Sequence, residues 1–80
     1  MSEFKQYIEE FCHDAEKDIK NEKQERNYCI ILYKCRGFHN ETKYVHKVYK
    51  SLANFKKKGE KDMKEIDPSR GINVQLWFFD

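Results

Sequence analysis

The sequence predicts a small α+β domain with the element order α-β-β-α-β, and three observations carry that expectation. An apolar stripe at helical spacing opens the chain, β-prone runs lie on either side of a turn signal in its middle, and an alternating β-prone run closes it. Eighty residues hold one domain, taken as residues 1–80. A chain of this size buries only about 60–65% of its unfolded surface. Such domains commonly gain stability from a metal, from disulfides or from a second copy, and a homo-oligomer is the expectation here.

The first element is the most strongly marked. Phe4, Tyr7, Ile8, Phe11, Cys12, Ala15 and Ile19 recur three and four apart and predict a helix over residues 3 to 24, with Ser2 as its cap. "NYCIILYKC" is rich in β-branched and aromatic residues and predicts a strand. On it, Cys29, Ile31, Tyr33 and Cys35 share one face and Tyr28, Ile30 and Leu32 the other. Both faces are apolar, as in a central strand covered twice or one whose second face meets a partner.

Gly37 and Asn40 signal a turn, and "TKYVHKVY" then predicts the second strand of a hairpin. Strict alternation puts Lys43, Val45, Lys47 and Tyr49 on one of its faces, and Tyr44, His46 and Val48 on the other. Tyr44, Val48, Leu52 and Phe55 also keep helical spacing, so the alternative is one helix from Glu41 to Lys58 and the order α-β-α-β. On the hairpin reading Ser51 caps a helix through "LANFKKK", which Gly59 ends or bends, and Met63 and Ile66 mark a further helical turn. "DPSRG" reads as a turn with Asp67 first and Pro68 second. In the closing strand Ile72, Val74, Leu76 and Phe78 point one way, leaving Trp77 and Phe79 on the side of Asn73 and Gln75. The expected sheet is three-stranded, with helices on one face.

The cysteines and histidines do not form a metal-binding pattern. Cys29 and Cys35 stand six residues apart on one strand face, roughly 20 Å at the strand rise, too far for one ion or for a disulfide. Cys12 and His13 are helix neighbours whose side chains diverge by about 100°, so they make no nucleophile–base pair. There is no glycine-rich phosphate loop and no strand–turn–helix serine motif. No catalytic residue, metal or cofactor is expected. Three cysteines without paired spacing, and an opening that is charged from residue 3, predict a cytoplasmic protein; no apolar run is long enough to span a bilayer.

Charge is where the sequence becomes informative. The net charge is only +2, but residues 34–64 carry ten basic groups against three acidic, while residues 1–26 carry five against eight. Segregation of this kind bears on partners rather than on fold. The stretch from Tyr33 to Lys50 interleaves basic groups and histidines with aromatic rings and holds a single acid. Phosphates are held by lysine and arginine, and unpaired bases stack on rings. The expectation is therefore an RNA-binding or single-strand-binding regulator using Lys34, Arg36, His39, Lys43, Tyr44, His46, Lys47, Lys50, Lys56, Lys57 and Lys58. Charge spread over a turn and a strand, with no helix-turn-helix, favours RNA or single strands over duplex DNA.

Three other readings stand beside it. Lysine runs such as "FKKKGEKDMKE" commonly do no more than keep a surface wet. The chain also suits a protein-binding inhibitor, antitoxin or counter-defence factor of the phage or mobile-element kind, with Tyr28, Ile30, Leu32, Trp77 and Phe79 as the partner interface. A third function, a minimal metal-free ribonuclease, would draw on His39, His46, Arg36 and Tyr44.

Overall fold

A computed structural model of the protein describes residues 3–22, 26–36, 42–67 and 70–79. Its elements are α1 (Glu3–Asn21), β1 (Asn27–Arg36), β2 (Thr42–Tyr49), α2 (Leu52–Lys64) and β3 (Ile72–Phe79). This is the α-β-β-α-β order, and residues 42–49 are strand rather than helix. The strands form one antiparallel sheet in the order β2-β1-β3, so β1 is central and α2 carries the chain from one edge to the other. The expected cap Ser2, the turn residues Gly37 and Asn40, His39 and Pro68 lie outside the described residues.

Both helices serve one face of the sheet. Ile8, Cys12 and Ala15 of α1 and Leu52, Phe55 and Met63 of α2 join Ile30, Leu32, Tyr49 and Val74 in a single core. Phe55 has no exposed surface; Phe11 meets its ring edge-on at 5.4 Å and Tyr49 lies 5.1 Å away. The entry to α2 is secured by local bonds. Ser51 Oγ accepts from the Asn54 N–H, its carbonyl accepts from the Phe55 N–H at 3.1 Å, and the Leu52 N–H donates to the Tyr28 hydroxyl at 3.3 Å. Donors left over in the first helical turn thereby find acceptors. After α2, the Arg70 N–H donates to the Asp67 carbonyl at 2.9 Å, the closing bond of the turn expected to begin at Asp67.

Three expectations are corrected. The first helix ends at Asn21 rather than residue 24. Gly59 does not end α2, which continues through it to Lys64 and takes in Met63. Space is tight at this position: a Cβ would stand 3.0 Å from a ring carbon of Phe55, one turn back on the same helix, and 3.1 Å from Ile8 Cδ1 of α1. The third correction concerns β2, whose alternation is broken. Leu32 pairs with Lys47 and Tyr33 with Val45, so His46 is an extra residue, a β-bulge. Val45 and Val48, expected on opposite faces, therefore share one, and Tyr49 goes into the core.

The candidate interface on the open face of the sheet

The face of the sheet turned away from the helices is built from alternate residues of all three strands. Cross-strand pairing sets Trp77 beside Cys29, Gln75 and Val48 on either side of Ile31, and Asn73 and Val45 on either side of Tyr33. Lys43 stands opposite Cys35 at one end, and Phe79 opposite Asn27 at the other. Trp77 is 50% exposed, Phe79 48%, and Val45 and Val48 56% each, so a contiguous apolar and aromatic surface faces out. Exposed apolar residues scattered singly are ordinary, whereas a connected set on one face marks a contact surface.

Polar side chains give this surface a fixed edge. The Trp77 indole N–H donates to Gln75 Oε1 at 3.1 Å, and Gln75 Nε2 donates to Asn73 Oδ1 at 3.0 Å. The indole nitrogen is thus satisfied within the strand, and the ring is left as the part that can stack. The three strands contain no aspartate or glutamate at all; the carboxylates of the described residues lie on α1, on α2 and in the segments flanking the strands. Lys50, just beyond β2, is exposed and borders a shallow depression shared with Arg26, Asn27, Tyr28, Cys29 and Phe79. Lys43 and Lys50 therefore sit at opposite ends of a platform that holds no acid among the described residues, about 20 Å long at the strand rise.

The structure divides the set of basic and aromatic residues expected to act together. Lys43 and Lys50 flank the open face, and Arg36 is exposed at the end of β1. Lys47 and Tyr44 are exposed on the β2 edge, but their side of the strand is that of Leu32 and Lys34. Lys34 is half-buried and lines a polar depression with His46, Glu65, Ile66, Asp67 and Arg70. Lys56, Lys57 and Lys58 are on α2, across the sheet from the exposed rings, and Lys56 pairs with Glu16 of α1 at 3.4 Å. His39 lies outside the described residues.

The bulge accounts for His46. Its extra residue directs the ring toward α2, where Nε2 is buried, has no hydrogen-bond partner and lies 3.8 Å from the Glu65 carboxylate. That nitrogen is not presented to a ligand in solvent. The expected partner interface also needs correction: Ile30 and Leu32 have no exposed surface, and Tyr28 is half-buried with its hydroxyl on the α2 N-terminus. They belong to the covered face. Trp77 and Phe79 belong to the open one, with Ile31, Tyr33, Val45 and Val48, whose membership the sequence reading missed. For Ile31 and Tyr33 the signal was present in the alternation of β1; for the valine pair it was hidden by the bulge.

Burial also sets the chemistry of the core groups. The Tyr49 hydroxyl donates to Asp62 Oδ2 at 2.6 Å, and its pKa is raised, first by burial and then by the bond to that carboxylate and its charge. Burial likewise raises the Cys12 thiol, with Lys56 pulling the other way. Cys12 and Cys35 are buried free thiols, and Cys29 is half-buried on the open face. Among the described residues no group of three or more histidines, cysteines or acids is placed to hold a metal ion, and no helix is long and apolar enough to cross a membrane. Comparison of the chain with protein-family models, curated proteins and solved structures gives no match in any of the three.

Proposed function

We propose that the protein binds single-stranded nucleic acid, RNA in the first place, on the open face of its sheet. The observation that carries this reading is a face, free of acids among the described residues, on which Trp77, Phe79 and Tyr33 are interleaved with small apolar side chains and bounded by Lys43 and Lys50. Rings on a sheet stack with splayed bases whatever their sequence, each contributing about 1–3 kcal/mol. Lysines at the ends, with Lys47 and Arg36 on the adjoining edges, hold phosphates by counterion release. The predicted mode is stacking first and charge second, because few lysines share the face.

Trp77 is the only tryptophan in the chain and lies within the proposed contact, so its fluorescence reports binding directly. Titration with poly-uridylate in low salt is expected to quench or shift that emission. Phe79→Ala should weaken binding by about 1–3 kcal/mol. Replacing Lys43, Lys47 and Lys50 together with glutamine should flatten the log–log salt dependence by about 0.7 for each phosphate left without its lysine. An emission spectrum unmoved by RNA and by single-stranded DNA would defeat the proposal. Copurification of a stoichiometric protein, insensitive to nuclease and abolished by Val45→Lys, would transfer the face to a protein partner; the two exposed valines, which offer no ring to a base, are what that second reading rests on.

A further inference from the structure

The two edges of the sheet are finished differently. β2 carries Lys43 and Lys47 and is interrupted by the bulge at His46, devices that keep an edge from pairing with another strand. β3 has none of them. From Ile72 to Phe79 it is eight residues without a charge or proline, and its register with β1 is unbroken. Among the described residues no strand covers its outer side.

The backbone of that side can be read from one bond. The Cys35 N–H donates to the Gly71 carbonyl at 2.8 Å, so position 71 turns its polar groups toward β1. In an antiparallel ladder such positions alternate. Asn73, Gln75, Trp77 and Phe79 therefore spend their backbone groups on β1, and the N–H and C=O groups of Ile72, Val74, Leu76 and Phe78 point away from the sheet. Among the described residues no strand pairs with these outward groups, which form a row along an uncharged strand.

We infer that β3 pairs antiparallel with β3 of a second copy of this chain, about a twofold axis at Gln75, to make a continuous six-stranded sheet. The strand is complementary to itself in that register. On the helix side Val74 meets Leu76 of the second copy and Ile72 meets its Phe78, apolar against apolar in both cases. On the open side Gln75 meets its own equivalent and Asn73 meets Trp77 of the second copy. The strand itself brings no like charges together, and the cation set against it, the Arg26 guanidinium 5.7 Å from the centre of the Phe78 ring, meets the uncharged Ile72 end of the second strand. The outward groups of the four named residues on each strand supply about eight backbone hydrogen bonds. Ile72, Leu76 and Phe78 are only half-buried in one chain, which leaves apolar surface for the pairing to cover. An 80-residue domain with a thin core gains stability from such a partner. The pairing leaves the open face uncovered and sets the two Trp77–Asn73 edges side by side.

Analytical ultracentrifugation of the full chain tests this. The expected mass is twice the 9.8 kDa of one chain. Gln75→Lys and Gln75→Glu each place like charges at the axis and should each give a monomer with the far-ultraviolet circular dichroism of the parent. An equimolar mixture of the two should restore the dimer, because opposite charges then meet; that recovery separates loss of pairing from loss of folding. A parent chain that sediments as a monomer at its highest soluble concentration overturns the inference. So does a dimer that persists in both single variants, or a mixture of monomeric variants that fails to associate.

Discussion

Ile30 and Ile31 are neighbours with identical side chains, yet Ile30 is sealed beneath the helices and Ile31 looks out from the bare side of the sheet. The same contrast runs through all three strands. One face ends in a close-packed core around Phe55, whose ring crowds Gly59 together with Ile8 of α1. The other ends in exposed tryptophan, phenylalanine and valine, with lysines at its margins and no acids among the described residues. A single covered face is enough to fold a domain of this size. Apolar surface kept on the opposite face adds nothing to that core, and it is this surface that the proposed function assigns to a partner.

One substitution on each face tests this contrast directly. Leu32→Ala removes a side chain with no exposed surface and should cost about 2–5 kcal/mol in urea-unfolding free energy. Val48→Thr, one strand away on the open face, keeps the β-branched shape and should change stability by no more than about 0.5 kcal/mol. Equal losses at the two positions would show that the open face is covered within the folded chain itself.

The next effect probes the polar bond inside the covered face. Tyr49→Phe leaves the Asp62 carboxylate buried without its donor, at a cost of about 1–3 kcal/mol. Replacing both partners, as in Tyr49→Phe with Asp62→Leu, should recover much of that loss, because no orphaned charge remains. The bond also has a pH signature. The folded-state pKa of Tyr49 is raised above the unfolded value of about 10, so the folded chain retains a proton that the unfolded chain gives up. Its contribution is fully present below pH of about 10 and declines as pH rises above it. Urea midpoints measured on either side of that value should fall more steeply for the parent than for Tyr49→Phe.

Most of the architecture could be read from the residues, because periodicity and turn chemistry agreed along the chain. The stripe from Phe4 to Ile19, the capping Ser51 and the alternation in β3 each led to the element that formed. What could not be read were close approaches and register. Gly59 looks like a helix end in one dimension; the Phe55 ring of its own helix and Ile8 of α1, both crowding the position, are visible only in the fold. The bulge at His46 left no local mark, yet it moved Val48 onto the open face, Tyr49 into the core and His46 toward Glu65. The choice between the two apolar faces of β1 was likewise open, since a strand rich in isoleucine and tyrosine does not say which side the helices will take. Residue types compatible with a polyanion were legible; their division between two faces was not.

That division yields the prediction with the smallest expected effect. Lys56, Lys57 and Lys58 form the densest basic run in the chain, and sequence proximity alone would give them the largest share of phosphate contact. They project from α2, which packs on the side of the sheet opposite the exposed rings, and Lys56 reaches back to Glu16 on α1. Charges separated by more than about 8–10 Å of solvent are largely screened at physiological salt, so a nucleic acid stacked on Trp77 gains little from them. Replacing all three with glutamine should leave the salt slope of RNA binding within error of the parent, while the Lys43, Lys47 and Lys50 replacement flattens it. Stability should change by no more than about 1 kcal/mol, since an exposed ion pair contributes little. If instead the α2 triple variant loses affinity as steeply as the strand variant, the nucleic acid wraps the helices, and the bare face of the sheet belongs to a different partner.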